Sequence, residues 1–242
     1  MKERIDVVIA KKKLAKSRTM AENLIKAGLV KVNEKRIFKP STKVSEDDII
    51  KIASLPKYVS RGGLKLEKAL DVFEVDVKNL AVLDVGSATG GFTDCLLQRG
   101  ARHIYAVDVG YGQLDQKLRK QSKVSVYEKT DIRNLKKLPE KVDLVTIDVS
   151  FISLLLVLPH IPKLLKHPGE IIALIKPQFE VGPGKVKKGI VRDEKLRTLA
   201  IEKIKRWISD RNWQIKGLIE SPIKGKFGNI EYLIYLKINT DK

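Results

Sequence analysis

Beyond residue 60, short apolar runs alternate with stretches of helical spacing, and this order predicts a repeating strand–helix fold. Apolar runs predict strands at 81–85, 103–109, 124–129, 144–148 and 171–175. Amphipathic stretches predict helices at 61–73, 92–99, 113–120, 154–165 and 196–208. Such alternation is typical of a doubly wound, mostly parallel sheet. Two last runs follow at 213–220 and 231–238, and the final one suits the antiparallel strand that closes a Rossmann-like sheet of seven strands.

The N-terminal segment has a different pattern. Ile5, Val8 and Ile9 recur at helical spacing, and a second helix is predicted between Ser17, a candidate N-cap, and Gly28, a candidate C′ residue. Short apolar runs between residues 30 and 52 predict small strands. We therefore expect a small α+β domain over residues 1–55, a linker at 56–60 and an α/β domain over 61–242.

A glycine-rich turn follows the first strand of the predicted sheet, in the sequence AVLDVGSATGGFTD at 81–94. Glycines at a strand-to-helix turn permit positive φ and let a ligand approach the backbone N–H groups. The spacing differs from G-x-G-x-x-G and lacks G-K-[ST], which disfavours dinucleotides and triphosphates. A carboxylate at Asp84 suits a ligand with a cationic amine and sulfonium, such as S-adenosylmethionine. An ordinary tight turn is the alternative interpretation.

Polar residues also follow the other predicted strands. Asp108 ends the second strand, where it can accept hydrogen bonds from ribose hydroxyls, and Asp131 follows the third, where it would border an adenine. Asp148 and Lys176 end the fourth and fifth, so all four converge on one crevice. This agreement favours adenosylmethionine. The predicted cofactor contacts are Asp84, Gly86, Ser87, Thr89, Gly90, Gly91, Phe92, Asp108, Val109, Asp131 and Asp148.

The chain is strongly basic, with 48 Lys and Arg against 29 Asp and Glu, a net charge of +19. Residues 1–57 hold 15 basic and 7 acidic residues, so charge is densest at the N-terminus. Such an excess is typical of a nucleic-acid-binding protein. A well-solvated lysine-rich surface is the alternative.

Cysteine and histidine are scarce. Cys95 is the only cysteine, and the three histidines show no metal-ligand spacing, so neither a disulfide framework nor a metal site is expected. The longest apolar stretches are too short to span a bilayer, and lysines interrupt any N-terminal signal sequence. We expect a soluble cytoplasmic protein with no membrane partner.

The class of methyl acceptor can be narrowed, because each class needs different catalytic residues. Carbon methylation of cytosine uses a cysteine nucleophile, but Cys95 is predicted on a helix away from the strand ends. The sequence DVSF at 148–151 lacks the prolines of the clamp used for exocyclic amines. A ribose 2′-hydroxyl needs a base or strong orientation, which Lys176 could supply; a surface lysine is the alternative. Lys65 leaves the apolar stripe of its helix, which predicts a solvated side chain.

The N-terminal sequence K-S-R-T-x-A-x-x-L-I-x-A-G-L-V-x-V-N, beginning at Lys16, resembles the RNA-binding fold named after ribosomal protein S4. The resemblance covers roughly residues 4–53. It implies that Lys12, Lys16, Arg18 and Lys31 face RNA.

Six motifs extend the resemblance over nearly the whole chain: SRGGxKL, LDVGSATGGFTD, AVDVGYGQL, DVSFISL, KPQFEVG and GNIEY. In this order they resemble the FtsJ-like ribose methyltransferases and, with the N-terminal domain, the TlyA-type family. The resemblance implies a catalytic tetrad of Lys65, Asp148, Lys176 and Glu231, in which Lys176 activates the 2′-hydroxyl. Arg61, in the first motif, is a further candidate RNA contact.

The family resemblance implies an adenosylmethionine-dependent enzyme that methylates cytidine 2′-hydroxyls of ribosomal RNA. Members modify either both subunits or the large subunit alone, and forms with both activities tend to have longer termini. The short termini here favour large-subunit (23S) RNA, with small-subunit (16S) RNA left open. The alternatives are a haemolysin-like, membrane-acting protein and a non-catalytic factor that binds ribosomal RNA.

Overall fold

The chain forms two compact units, Met1–Lys57 and Tyr58–Lys242. The computed structural model describes residues 2–15, 17–26, 28–53, 56–182 and 184–238.

The first unit packs two helices against short strands. Its elements are β1 (Glu3–Arg4), α1 (Ile5–Lys11), α2 (Arg18–Lys26), β2 (Val30–Val32), β3 (Lys35–Ile37), β4 (Lys43–Val44) and β5 (Ile50–Ile52). Strands β3, β2 and β5 form an antiparallel sheet, and β1 pairs with β4. The Ser17 hydroxyl accepts a hydrogen bond from the Met20 N–H at 3.1 Å, and Gly28 has φ +69°, so both predicted helix-end residues are confirmed.

The second unit is built on one sheet of seven strands. The strands are β6 (Ala81–Val85), β7 (His103–Val107), β8 (Val124–Tyr127), β9 (Val142–Ile147), β10 (Leu165–Ile175), β11 (Gln214–Glu220) and β12 (Tyr232–Ile238). Their spatial order is β11-β12-β10-β9-β6-β7-β8, and only β12 runs antiparallel to its neighbours. The predicted mostly parallel, Rossmann-like sheet is confirmed.

Helices cover both faces of this sheet. They are α3 (Gly62–Val72), α4 (Gly91–Gln98), α5 (Gln116–Arg119), α6 (Pro177–Glu180) and α7 (Glu194–Ser209). Successive side chains of a strand point to opposite faces, so Val82 packs in the layer of α3 and α4 while Leu83 packs in the layer of α7. Both layers are buried, which holds the strand ends in fixed positions.

The predicted helix at 154–165 is wrong. The segment forms two short 3-10 turns, Leu154–Leu156 and Leu158–His160, and β10 begins at Leu165 rather than at residue 171. Pro159 and Pro162 explain the difference, because proline lacks the N–H that an α-helix needs and its ring clashes with the preceding turn. The predicted helix at 113–120 is shorter, since the Asp115 side chain caps α5 by accepting from the Lys117 N–H.

The connections place one crevice at the centre of the sheet. The chain runs from β6 outward through β7 to β8, and then returns to the other side of β6 as β9. Ligands of open α/β sheets bind outside the carboxyl ends of the strands where the order reverses in this way. We therefore expect the ligand site beside the residues that follow β6 and β9.

Candidate active site

Lys176 lies at the carboxyl end of β10, immediately before Pro177, the first residue of α6. Its Nζ lies 2.6 Å from Asp148 Oδ1 and donates a hydrogen bond to Ser150 Oγ at 2.8 Å. The Lys176 side chain is 10% exposed and that of Asp148 is 20% exposed. The amine is thus held between a carboxylate and a hydroxyl at the edge of open space.

A second lysine–carboxylate pair joins Lys65 on α3 to Glu231, with Nζ and Oε2 2.5 Å apart. The two side chains are 10% and 3% exposed. The prediction that Lys65 is solvated is therefore wrong. Its helix pattern indicated a polar position, but a carboxylate 166 residues away in sequence supplies the partner that makes burial of the charge tolerable.

Sheet register brings the two pairs to the same end of the fold. Ile175 and Tyr232 are partners in the antiparallel ladder of β10 and β12, so Glu231 and Lys176 each lie one residue beyond that pairing. Gly62, one turn before Lys65 on α3, lines a small cavity together with Asp148 and Lys176. The structure thus gathers the four predicted tetrad residues from four elements.

Two neighbouring cavities lie at the carboxyl ends of β6, β7 and β9. The larger has a volume of about 750 Å³, and its lining includes Asp108, Val109, Asp131 and Ile132. The smaller has a volume of about 130 Å³, and its lining includes Ser87, Thr89, Gly91, Phe92 and Lys176. Both are lined by Gly86, Ala88, Asp148 and Ser150.

Gly86 allows the turn after β6 to touch the end of β9. It has φ +84°, and a Cβ atom at this position would lie 2.5 Å from the backbone oxygen of Asp148. A side chain would be excluded both by this contact and by the positive φ. The glycine is what lets Asp148 lie directly beside the turn.

The carboxylates of the larger cavity are held in different ways. Asp108 accepts from the Ala88 N–H at 2.8 Å and from the Gly110 N–H at 2.7 Å, which ties the glycine turn to the loop after β7. Asp131 binds the guanidinium of Arg133, which holds the pKa of that carboxyl below its usual range. Both residues nevertheless line the cavity.

Two predicted cofactor contacts, Asp84 and Gly90, lie outside the lining of these two cavities. Asp84 is fully buried and accepts hydrogen bonds from Thr93 Oγ1 at 2.6 Å and Thr146 Oγ1 at 3.1 Å. Burial raises its pKa to about 7. Gly90, with φ +96°, precedes α4 and packs against apolar side chains of the α5 region. Both residues therefore support the structure of the glycine turn without lining either cavity.

Sequence reasoning missed two residues at the cavity rim, Ser150 and Phe151. Ser150 accepts the hydrogen bond of Lys176, and no sequence pattern indicated that contact. Phe151 is 92% exposed, has φ +64°, and its ring centroid lies 5.3 Å from that of Phe179. Bulky residues rarely adopt positive φ, so this conformation marks Phe151 as unusual, but only the structure shows it.

The predicted RNA-facing residues are spread over both units. Lys12 is exposed after α1, and Lys31 Nζ lies 3.4 Å from Glu34 Oε2. Arg18 is half exposed, and its Nε donates to the buried carboxylate of Asp6 at 3.0 Å. Arg61 is exposed at the start of α3. The predicted contact at Lys16 lies outside the described residues.

In the described part of the chain, no helix has the length and apolar character needed to cross a membrane. No group of three or more His, Cys, Asp or Glu side chains there is arranged to hold a metal ion.

The sheet order, the glycine turn and the lysine held at its crevice define a methyltransferase of the FtsJ-like class. The family model described as FtsJ-like methyltransferase matches residues 58–238, and the S4 domain matches residues 3–50. The chain belongs to the TlyA-type family, in which these two domains occur together.

Named relatives support this membership. The chain is 42% identical to the 16S/23S rRNA (cytidine-2′-O)-methyltransferase TlyA of Mycobacterium tuberculosis, over 99% of this chain and 91% of that protein. It is 43% identical to the 23S rRNA (cytidine-2′-O)-methyltransferase TlyA of Campylobacter jejuni, over 74% of this chain and 70% of that protein. A solved structure from Streptococcus thermophilus, which carries a hemolysin name, superimposes with a TM-score of 0.77 at 41% identity, covering 99% and 90% of the two chains.

Proposed function

We propose that this chain is an S-adenosylmethionine-dependent enzyme that methylates a cytidine ribose 2′-hydroxyl of ribosomal RNA in the cytoplasm. The observation that carries the proposal is the position of Lys176. Its amine is held by Asp148 and Ser150 beside a cavity lined with carboxylates. The two relatives named above act on the same class of hydroxyl.

The larger cavity suits adenosylmethionine. A volume of about 750 Å³ lies within the range of small-molecule sites. Asp148 offers negative charge for the amine and sulfonium, and Asp108 offers acceptors for the ribose hydroxyls. Asp131 borders the proposed place of the base, for which Val107 and Ile132 offer apolar surface. When bound, adenosylmethionine supplies an activated methyl group.

Lys176 is the proposed general base. A ribose hydroxyl is a poor nucleophile, so removal of its proton as the oxygen attacks the methyl carbon assists the reaction. The O–C bond forms, the C–S bond breaks, and the proton passes from the hydroxyl to the neutral amine of Lys176, which becomes an ammonium. Asp148 then stabilises the ammonium at 2.6 Å. Orientation of the hydroxyl by these fixed side chains contributes at least as much as proton transfer.

Lys65 and Glu231 support the site from behind. Their ion pair joins α3 to the start of β12, and the two side chains are almost fully buried. We propose that the pair holds the start of β12 next to Lys176. Removal of one partner would leave a buried charge without compensation.

Phe151 is the proposed stacking surface for a base. RNA-modifying proteins commonly stack unpaired bases on exposed aromatic rings. Phe151 is exposed at the cavity rim, three residues after Asp148. A target cytidine turned out of its helix could rest there while its ribose approaches Lys176.

RNA is the proposed partner because cations surround this end of the fold as well as the first unit. Asn229 lies two residues before Glu231, donates to the Gly189 oxygen at 2.7 Å and accepts from the Val191 N–H at 3.0 Å. It thereby fixes a loop rich in exposed cations near the site. These cations are Lys185, Lys187, Lys188 and Arg192. Phosphate binding by such residues makes affinity depend on salt.

The experiment is methyl transfer from radiolabelled adenosylmethionine to separated, unmodified ribosomal subunits. We propose large-subunit RNA as the substrate and expect alkali-resistant label at one cytidine of 23S RNA. Label on 16S RNA as well would retain the enzyme and overturn the proposed subunit preference. Retained adenosylmethionine binding with no label on either subunit would overturn the proposed activity in favour of a non-catalytic RNA-binding factor.

A further inference from the structure

A row of side-chain contacts fastens the loop after β9 to α6. We call residues 148–153 the β9 loop. At one end Asp148 and Ser150 contact Lys176, and in the middle the ring of Phe151 packs on that of Phe179. At the far end the contacts are made by Glu180, the last residue of α6.

Glu180 forms a buried anchor. Its residue is 4% exposed, and each of its carboxylate oxygens accepts one hydrogen bond. The Ser153 hydroxyl donates to Oε2 at 2.6 Å, and the Leu154 N–H donates to Oε1 at 2.7 Å. Both donors are neutral: Ser153 is the last residue of the β9 loop, and Leu154 follows it. The two bonds therefore connect elements 26 and 27 residues apart.

The anchor joins two short segments of the chain. A helix of four residues, such as α6, has too few internal hydrogen bonds to be stable by itself. The β9 loop is held at its start by the sheet, where the Asp148 N–H donates to the Val85 oxygen at 2.9 Å. Val149 and Ile152 pack against the core, and the two Glu180 bonds fix the far end, so the exposed Ser150 and Phe151, which has positive φ, lie between two points of attachment.

We propose that Glu180 is a positioning residue for methyl transfer, which holds the β9 loop so that Asp148 and Ser150 meet the amine of Lys176. This inference rests on the proposed function. Glu180 lies four residues after Lys176. It does not line the cavity proposed for adenosylmethionine, and its carboxylate bonds go to Ser153 and Leu154 and not to the amine of Lys176. It acts through the loop, and a small displacement of that loop moves both partners of Lys176.

The test begins with Glu180→Ala in the full-length chain. We expect kcat to fall about 100-fold, as displacements near 1 Å can cause, while the protein stays folded. Glu180→Gln should recover much of that loss, because its amide oxygen can still accept from the Leu154 N–H and the Ser153 hydroxyl can rotate. Ser153→Ala, which removes one bond only, should give a smaller loss and serves if Glu180→Ala does not fold.

A double-mutant cycle identifies the route of the effect. If Glu180 acts through the contact of Ser150 with Lys176, the losses from Glu180→Ala and Ser150→Ala are not additive. Asp143→Ala is the matched control. Its carboxylate also accepts from a backbone N–H, that of Ala81 at 2.8 Å, and contacts Lys166 Nζ at 2.6 Å, but at the amino-terminal ends of the strands, away from the site. It should lower stability without lowering the kcat of the folded fraction.

Amide hydrogen exchange measures how firmly the anchor holds the β9 loop, independently of enzyme activity. Glu180→Ala should raise exchange in the peptide covering 149–156, and Asp143→Ala should leave that peptide unchanged. Faster exchange with wild-type kcat would overturn the positioning role, as would additive losses in the cycle. Absence of methyl transfer by the wild-type protein would overturn the proposed function, and unchanged exchange at 149–156 would separately overturn the anchor.

Discussion

The two lysine–carboxylate pairs of the second unit have the same chemistry and different surroundings. Lys65 and Glu231 form a closed pair, in which the carboxylate is 3% exposed and neither residue lines the two cavities described. Lys176 and Asp148 form an open pair, in which the carboxylate is 20% exposed and borders both cavities. Under the proposed function, the difference teaches that access to a reactant, and not residue type, separates the pair that reacts from the pair that supports.

The largest effect is expected at the open pair. Lys176→Ala should lower kcat for methyl transfer at least 1,000-fold, within the range for loss of a general base that also orients its substrate. Adenosylmethionine affinity, measured by calorimetry, should change less than about threefold, because the proposed role of Lys176 is toward the methyl acceptor. Lys166→Ala is the matched control, because Lys166 lies at the other, amino-terminal end of the same strand, β10. Near-wild-type turnover by Lys176→Ala would contradict the contrast between the pairs.

The closed pair should show its effect in stability first. Glu231→Ala should lower the free energy of unfolding by about 3–5 kcal/mol, because it leaves Lys65 buried without a partner. The double variant Lys65→Met, Glu231→Leu should recover most of that loss and return kcat to within about tenfold of wild type. Urea unfolding measures the free energy of unfolding of each variant, and a methyl-transfer assay measures its kcat. Stability restored with activity still absent would show that this pair also acts on the substrate.

Asp84 extends the comparison to a buried carboxylate without a lysine. Its pKa is raised to about 7 by burial, from an ordinary value of 3.8. Between these values the folded state keeps a proton that the unfolded chain has released, so stability falls as the pH rises from about 4 to 7. Each pKa unit corresponds to about 1.4 kcal/mol, so the loss approaches a few kcal/mol.

Asp84→Asn removes this titration. The difference in unfolding free energy between the variant and wild type should shift in favour of the variant as the pH rises through this window, and level off above pH 7. Thermal or urea unfolding at several pH values measures it. Parallel stability curves for the two proteins between pH 4 and 8 would refute the assignment.

Asp108 lines the larger cavity and tests whether that cavity, which the open pair borders, binds adenosylmethionine. Asp108→Ala should weaken adenosylmethionine binding about 10- to 100-fold, since it removes an acceptor from the proposed ribose site and releases the glycine turn. Asp108→Asn, which keeps one acceptor oxygen, should lose less. Calorimetry decides, and unchanged affinity in Asp108→Ala would remove this residue from the donor site.

The smallest effect is expected from an exposed cation of the first unit. Lys12→Gln should weaken RNA binding and reduce the slope of log K against log salt by about 1, as loss of one phosphate contact does. Lys51→Gln is the control, because Lys51 is already paired with Glu34 at 2.5 Å. Equal slopes for wild type and Lys12→Gln would mean that Lys12 is ordinary surface.

Prediction from sequence succeeded where the signal was local. Strand periodicity located all seven strands of the sheet, and the glycine turn at 81–94 was placed correctly at its centre. It failed at 154–165, where apolar spacing indicated a helix but two prolines and the anchor at Glu180 impose 3-10 turns. Helical spacing describes which face would be buried, and it does not count the hydrogen bonds that proline removes.

The sequence by itself determined the order of elements, the excess of positive charge and the motifs that name the family. Only the tertiary structure decided which charged side chains are enclosed. It buried Lys65 with a partner 166 residues away, turned Asp84 from the cavity toward two threonines, and brought Ser150 to Lys176. The physical reason is that periodicity reports neighbours along the chain, whereas the state of a buried charge depends on partners that only the packed strand ends bring together.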